Sequence, residues 1–302
     1  MLAAAVLASA AVFHGTPAQN APWFASLEQG GAFCSGSLIA PDRVLTAAHC
    51  VQGSSPRNFQ VHIAGKALNV KGIYFPRSYR IIPSPVEPDV YSASASIDDM
   101  AIVVLKARQT TPTLPIAATP PALGEATTTV GIGTINPNGE QPDDPLQATQ
   151  QARDCSGIYP KQLLHPSRHL CTQDPTAAKA QACPGDSGGP VMVTRDGQLQ
   201  VAGVVTWGGE TLGRECGEGP ADVSERVLAH ASLVNGPLPK SVAPYSTSGV
   251  RIDRHGRCHR GAWFPRTARF KIRSVRHGSR KGCIVRASTP GGWAEKASYN
   301  TV

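Results

Sequence analysis

The sequence lacks any apolar run long enough to cross a membrane as a helix. Its longest apolar stretch, residues 2–13, is shorter than the ~20 residues that a spanning helix requires. Charged residues are also few, at 17% of the 302 residues, against ~25% in an average soluble domain. No internal repeat is evident. We therefore exclude a helical membrane protein and a repeat array.

The eight cysteines include no C-x-x-C pair, which disfavours a zinc ribbon and a thioredoxin-like redox site. Their even number and wide spacing predict disulfide bonds and an oxidising compartment. Residues 2–11 are small and apolar, like the core and end of a secretory signal without its positive n-region. We expect a signal peptide over 1–11, incomplete at its start, and a secreted, extracellular protein. The alternative for this segment is a buried N-terminal helix.

Glycine and proline are abundant, with 30 and 26 residues, and they separate short segments rich in Val, Ile, Leu and aromatic residues. This pattern favours an all-β barrel or sandwich. The clearest predicted strands are residues 33–39, 59–63, 100–105, 190–193 and 199–207. Residues 110–121, rich in Pro and Thr, predict a connector between two halves. Apolar positions at helical spacing predict one helix over 222–234.

Positive charge is concentrated at the C-terminal end. From residue 240 onward there are 14 Lys or Arg and 2 Asp or Glu, a net charge of +12. Residues 1–239 contain 15 and 19, a net charge of −4. Such an asymmetry indicates a module boundary or a charged appendage. We therefore expect a first domain over 12–239 and a basic C-terminal module over 240–302.

Two segments have the residue types that acyl transfer by a serine requires. His49 lies in Thr-Ala-Ala-His-Cys, and Ser187 lies in Gly-Asp-Ser-Gly-Gly-Pro. The reaction needs a base beside the hydroxyl, a group that orients the base, and donors for the developing oxyanion. Gly185 lets backbone N–H groups approach a substrate carbonyl without interference from a Cβ. Asp99, at the start of an apolar strand, is the candidate orienting carboxylate, and Asp98 is its competitor.

With these motifs in the order His, Asp, Ser, the sequence resembles the trypsin/chymotrypsin family of serine endopeptidases over about residues 12–235. Subtilisins and α/β-hydrolases have other orders. The resemblance implies two perpendicular antiparallel six-stranded β-barrels, a short C-terminal helix and a site in the cleft between the barrels. It implies Ser187 as nucleophile, His49 as general base and then acid, and Asp99 as orienting carboxylate. The N–H groups of Gly185 and Ser187 would form the oxyanion hole.

The resemblance also implies three disulfides, and two cysteines then remain as a fourth pair. The expected pairs are Cys34–Cys50, Cys155–Cys171, Cys183–Cys216 and Cys258–Cys283. In this family a new N-terminal amine becomes buried against the aspartate before the serine. Val12 would carry that amine and Asp186 would pair with it, since a buried ammonium and a buried carboxylate each need a partner.

Gln181 stands where trypsins have the aspartate that pairs with Arg or Lys of the substrate. We therefore expect a preference for uncharged residues at the cleavage position. The substrate backbone should bind along a segment similar to the family's Ser-Trp-Gly, namely Thr206, Trp207 and Gly208. Whether Glu218 or Asp222 enters the pocket stays open.

The C-terminal module weakly resembles a small Ig-like repeat of bacterial surface proteins around Cys258 and Cys283. Residues 269–275 alternate at period two and predict a strand. The alternative is a basic, poorly ordered extension. The positive charge of the C-terminal module should attract polyanionic surface polymers, and we expect no specific recognition of nucleic acid. Removal of the chain after about residue 239 should leave peptide hydrolysis nearly intact.

Together these features predict a secreted, monomeric, bacterial serine endopeptidase that acts on protein or peptide substrates. The chemistry implies no metal ion and no organic cofactor. The alternative is a catalytically weak or inactive homologue that acts as a surface adhesion or recognition protein.

Overall fold

The computed structural model describes residues 12–136, 138–253, 255–277 and 280–299. The predicted signal peptide over 1–11 lies outside these residues. Strands dominate the described chain, and its one α-helix has four residues. None of the described helices is long and apolar enough to cross a membrane.

Residues 12–105 contain nine strands, six of which form the first barrel. The nine strands are β1 (Thr16–Pro17), β2 (Phe24–Gln29), β3 (Ala32–Ala40), β4 (Arg43–Thr46), β5 (Gln60–Ile63), β6 (Lys66–Tyr74), β7 (Arg80–Ile82), β8 (Ala95–Ile97) and β9 (Ala101–Leu105). The order β2–β3–β4–β9–β6–β5 closes into a barrel, and every pairing is antiparallel. Leu38, Leu45 and Ile102 are fully buried in its core. β7 and β8 form a separate pair beside it.

The second barrel is built from β10 (Ala126–Gly131), β11 (Leu146–Arg153), β12 (His169–Gln173), β13 (Pro190–Arg195), β14 (Gln198–Trp207) and β15 (Asp222–Arg226). Its order is β11–β10–β13–β14–β15–β12, and it closes through the pairing of β12 with β11. β1 joins this sheet through β11. The predicted all-β architecture of two six-stranded barrels is therefore confirmed.

The five strands predicted from composition are confirmed, since they match β3, β5, β9, β13 and β14 to within two residues at each end. The helix predicted over 222–234 is wrong in its first part, because residues 222–226 form β15. Only a 3-10 helix, Val227–His230, and α1, Ala231–Val234, follow it. β15 pairs with β12 along one edge and with β14 along the other, and the first four of its five residues are buried, so side chains on both of its faces are covered. A strand buried on both faces does not need an alternating apolar pattern.

Beyond α1 the chain forms a smaller β module. Its strands are β16 (Tyr245–Ser246), β17 (Arg251–Ile252), β18 (Cys258–His259), β19 (Trp263–Phe264), β20 (Arg269–His277), β21 (Arg280–Thr289) and β22 (Gly292–Tyr299). β20, β21 and β22 form an antiparallel sheet, β16 pairs with β19, and β17 pairs with β18. The strand predicted over 269–275 is confirmed as part of β20. Likeness to an Ig-like repeat stays a prediction.

The C-terminal module packs directly on the first barrel. The N–H of Ala243 donates to the C=O of Ile73 at 2.8 Å, and Ala243 and Trp293 belong to the same core cluster as the barrel residues. The boundary near residue 240 therefore separates the two parts in sequence and charge but not in packing.

Four disulfides connect neighbouring segments, and no cysteine of the described chain is free. They join Cys34–Cys50, Cys155–Cys171, Cys183–Cys216 and Cys258–Cys283. These are the four pairs expected from the sequence. The first lies beside His49, and the third connects the segment before Ser187 to the segment after Gly208.

Candidate active site

The pairing of β4 with β9 brings His49 and Asp99 together. Thr46 at the end of β4 lies opposite Ala101 at the start of β9, so the residues just beyond these ends are neighbours. The Nδ1 atom of His49 lies 2.7 Å from Oδ2 of Asp99, and the backbone N–H of His49 donates to Oδ1 at 2.9 Å. Asp99 is fully buried, whereas the side chain of His49 keeps 24% of its surface exposed. The aspartate thus fixes the ring while one edge of it faces the cleft.

Further hydrogen bonds hold the Asp99 carboxylate and its backbone. The Ser96 hydroxyl donates to Oδ2 at 2.6 Å, and the N–H of Asp99 donates to Oε2 of buried Glu225 at 3.3 Å. Burial by itself would raise the pKa of Asp99, but the charge of His49 and the hydrogen bonds from His49 and Ser96 hold it below its ordinary value. Burial opposes the charged form of His49, yet the Asp99 charge and hydrogen bond raise the pKa of His49 above 6.5. Each charge of the pair therefore stabilises the other.

Asp98, the competing carboxylate, faces a different set of groups. Its Oδ1 lies 3.1 Å from Nε of Arg168 and 3.7 Å from Nε2 of His230. Asp98, Glu225 and His230 place ligand atoms within 4.8 Å of one another. The adjacent Arg168 guanidinium already supplies a cation there, which disfavours a metal ion. The geometry therefore favours Asp99 over Asp98 as the partner of His49.

Ser187 lies in a tight turn whose backbone needs glycine. Gly185 has a φ of +104° and Gly188 a φ of +86°, in the region that side chains other than glycine rarely adopt. A Cβ on Gly188 would also collide with the Thr46 hydroxyl and the Ser35 carbonyl. The N–H of Ser35 donates to the C=O of Ser187 at 2.8 Å. The turn is thus pressed against the first barrel.

His49 and Ser187 line one cavity of about 260 Å³. Tyr79 of the first barrel and Trp207 of the second line it as well, so the cavity lies between the barrels. Thr206 and Gly208, the other two residues predicted to bind a substrate backbone, are also at its wall. Within the described chain, the backbone N–H groups of Gly185 and Ser187 donate to no acceptor. Both donors remain free for a ligand.

Asp186 is fully buried against backbone donors. The N–H of Gly133 donates to its Oδ1 at 2.7 Å and the N–H of Cys183 to its Oδ2 at 2.8 Å. No Lys, Arg or His of the described chain forms an ion pair with it, and burial raises the pKa of Asp186 to about 7. Val12 is also fully buried, in a small cluster with Ala148 and Ala180. The two predicted activation residues are therefore both interior.

Gln181 lies at the wall of a neighbouring cavity of about 230 Å³. Its Oε1 accepts the N–H of Gly219 at 3.0 Å, and its own N–H donates to the C=O of Phe13 at 3.1 Å. Glu218, which was an open candidate for the substrate pocket, is exposed and lines this second cavity too. The structure thus places Gln181 and Glu218 together, but beside a different cavity from that of Ser187.

Sequence reasoning missed Glu210, which lines the cavity of His49 and Ser187. Its Oε1 accepts the N–H of Gly208 at 2.7 Å. Asp222, the other open candidate, is buried, and its Oδ2 accepts the N–H of Ala182 at 2.9 Å. A Cβ on Gly208 would lie 3.2 Å from Oε2 of Glu210 and 3.6 Å from Oδ1 of Asp222. Two carboxyl groups therefore lie beside the predicted substrate strand.

Burial favours the neutral form of both carboxyl groups. Burial raises the pKa of Glu210 and raises the pKa of Asp222 to about 7, and the nearby Glu210 charge acts in the same direction on Asp222. The Oδ1 atom of Asp222 has no hydrogen-bond partner among the described residues. The only available sequence signal was an acidic residue two positions after Gly208.

The two β-barrels and the cavity that His49 and Ser187 share indicate a serine peptidase, and comparison with known proteins gives the family. The model of the Trypsin family matches residues 12–227. The chain belongs to the trypsin family, and it is a trypsin-like serine endopeptidase that acts on protein substrates. The matched range ends before the C-terminal module.

Similar proteins include animal peptidases of known family. Trypsin delta of Drosophila melanogaster is 29% identical over 203 residues, which is 64% of this chain and 76% of the relative. Serine protease 1 of Rattus norvegicus is 33% identical over 203 residues, with the same coverage of both chains. Snake venom serine protease 3 of Protobothrops jerdonii is 33% identical over 189 residues, or 61% of this chain and 70% of the relative.

Proposed function

We propose that the protein cleaves peptide bonds through Ser187, His49 and Asp99 by way of an acyl-enzyme intermediate. The observation that carries this proposal is the hydrogen bond between His49 and buried Asp99 at the wall of the cavity that contains Ser187. Because Nδ1 of His49 is held by Asp99, its Nε2 is the nitrogen left to accept a proton. The neutral ring is then a base for the Ser187 hydroxyl.

In the first step Oγ of Ser187 bonds to the scissile carbonyl carbon, and its proton passes to Nε2 of His49. The carbonyl oxygen becomes an oxyanion, for which the free N–H groups of Gly185 and Ser187 are the donors. Collapse of this intermediate breaks the C–N bond, and His49 returns the proton to the leaving amine. Water, deprotonated by the same His49, then hydrolyses the ester on Ser187.

Reaction with a fluorophosphonate, which labels an activated serine, tests this assignment. We expect one equivalent of label on Ser187 and none on the Ser187→Ala variant. Ser92→Ala is the matched control, because Ser92 lines the same cavity and is exposed. The peptidase activity of Ser187→Ala should be about 10⁶-fold lower than that of the wild type. Full turnover by that variant would rule out Ser187 as the nucleophile.

We also propose that the mature chain begins at Val12 and that its new amine pairs with Asp186. Support comes from the burial of both residues and from the lack of a cationic partner for Asp186 in the described chain. A buried ammonium would neutralise the carboxylate and fix the turn before Ser187. N-terminal sequencing of the active form tests this start, and an active form that retains residues 1–11 would contradict it.

Secretion and binding of polyanions complete the proposed function. Four disulfides are typical of an oxidising, extracellular compartment. The C-terminal module presents exposed basic side chains along β20, namely Arg269, Lys271, Arg273 and Arg276. These side chains would bind the proteinase to an anionic surface while its cleft remains free.

A further inference from the structure

Three aromatic side chains connect the C-terminal module to the first barrel. The Trp293 ring stacks on the Tyr79 ring, with 5.6 Å between centroids and 20° between planes. Tyr79 meets Phe75 edge to face at 5.7 Å. The indole N–H of Trp293 also donates to the C=O of Tyr79 at 3.0 Å. Trp293 therefore holds both the side chain and the backbone of Tyr79.

Backbone segments of the C-terminal module and the first barrel also lie close together around this aromatic contact. The N–H of Phe75 donates to the C=O of Gly291 at 2.9 Å, and the Thr289 hydroxyl donates to the C=O of Val242 at 2.7 Å. At Gly292, an added Cβ would lie 2.8 Å from the Phe75 ring, closer than real Cβ contacts come. The turn between β21 and β22 is thus fitted against the segment 75–79.

Tyr79 contacts Trp293 and also lies at the wall of the cavity of His49 and Ser187. It lines that cavity and is only 2% exposed. Burial, reinforced by the charge of Asp99, raises the pKa of Tyr79 well above its ordinary value, so the ring remains neutral. One residue thus connects the C-terminal module to the wall of the candidate active site.

We propose that the C-terminal module is a structural part of the substrate cleft, and that Trp293 is a positioning residue that fixes Tyr79 in the cleft wall. This inference rests on the proposed function, because it assigns the cavity to substrate. Trp293 touches no reacting atom, so its loss affects how substrate is bound more than how the bond is broken. An aromatic pair and a hydrogen bond of this kind together correspond to about a five-fold change in an equilibrium constant or more.

The experiment compares steady-state kinetics of full-length wild type and Trp293→Ala with a short peptide amide. We expect KM to rise about five-fold and kcat to stay within about two-fold, because the wall moves while Ser187 and His49 do not. Labelling of Ser187 by a small fluorophosphonate, which does not need the wall, should keep its rate. Trp293→Phe keeps a ring against Tyr79, so its KM should stay close to that of the wild type.

Ile272→Ala is the matched control, because Ile272 is in the same module, half exposed, and on β20 away from Tyr79. Gly292→Ala is a second probe, since its methyl group would displace Phe75 and should raise KM as well. An unchanged KM in Trp293→Ala would overturn the inference. So would parallel losses of kcat, labelling and thermal stability, which would mean general unfolding. Wild-type labelling tests the proposed function separately, so the two can fail independently.

Discussion

His49 carries the proton chemistry of the proposed mechanism, and the groups around it set its charge. Burial disfavours the imidazolium, but the Asp99 charge and hydrogen bond outweigh it and raise the pKa of His49 above 6.5. Only the neutral ring accepts a proton, so activity is lost as pH falls through that pKa. We expect kcat/KM to rise with pH and to have its midpoint above 6.5.

A pH profile between about 5 and 9 measures this midpoint. Asp222 has a pKa raised to about 7, so the profile is repeated with Asp222→Asn as a control. Asp99→Asn should lower kcat by about 10⁴-fold, since the His49 ring loses its orientation and its charge partner. A midpoint below 6.5 in both the wild type and the Asp222→Asn control would contradict the assignment of His49 as the base.

Asp186 makes stability depend on pH in the chain that still carries residues 1–11. Burial raises its pKa from 3.8 to about 7, so the folded state binds this proton more tightly than the unfolded state does. The free energy of unfolding should therefore fall as pH rises from about 4 to 7. Asp186→Asn should reduce that fall, and exposed Asp196→Asn should not. Urea unfolding at pH 5 and pH 8 measures the free energy of unfolding of the wild type and of both variants. An equal change in that free energy between the two pH values for all three proteins would refute the argument.

Glu210 bears on specificity in a way that Gln181 alone does not. An uncharged Gln181 predicts weak selectivity for Arg or Lys, but Glu210 adds a carboxyl to the cavity itself, next to buried Asp222. A cationic substrate side chain near them would lower their raised pKa values and be bound in return. We expect Glu210→Gln to lower kcat/KM about ten-fold for peptides cleaved after Arg or Lys and little for neutral ones.

A panel of peptides that differ only at the cleaved residue measures this effect, with Glu218→Gln as the control at the second cavity. Equal effects of Glu210→Gln on basic and neutral peptides would exclude Glu210 from selectivity. The wild-type panel also tests the expectation drawn from Gln181, which a clear preference for neutral residues would support.

At the scale of elements, the barrels were predictable and the cleft only in part. Short apolar strands between glycines and prolines gave β3, β5, β9, β13 and β14, because local composition is enough to mark buried strands. The prediction for residues 222–226 was wrong, because their apolar spacing fits a helix but their pairing with β12 and β14 makes them a strand. The motifs predicted His49, Asp99 and Ser187 as one site, and this stays a prediction, supported by the hydrogen bond of His49 with Asp99 and by the cavity that His49 shares with Ser187. Glu210 was missed because a single acidic residue two positions after Gly208 is too weak a sequence signal.

The contact between modules was not predictable for a related reason. Trp293 and Tyr79 are 214 residues apart, and nothing local to either marks them as partners. The charge change near residue 240 correctly marked where the composition changes, but charge describes the surface and not the packing beneath it. Removal of everything after residue 239 would take away Trp293 and expose Tyr79. The proposed role of Trp293 therefore replaces the expectation that this truncation leaves peptide hydrolysis nearly intact, and truncation cannot separate surface binding from cleft structure.

For the whole molecule, the separation of charge predicts where an anionic surface binds. The exposed basic side chains of β20 belong to the +12 segment, while the rest of the chain has a net charge of −4. Reversal of Lys271 and Arg273 to Glu keeps the module folded, since both are exposed, and should abolish most retention on an anionic polymer. The same reversal of exposed Lys66 and Lys71 on the first barrel is the matched control. Retention should fall steeply as salt shortens the screening length below ~8 Å, and hydrolysis of small peptides should not change. Equal retention of the two double variants would show that binding follows total charge and not the C-terminal module.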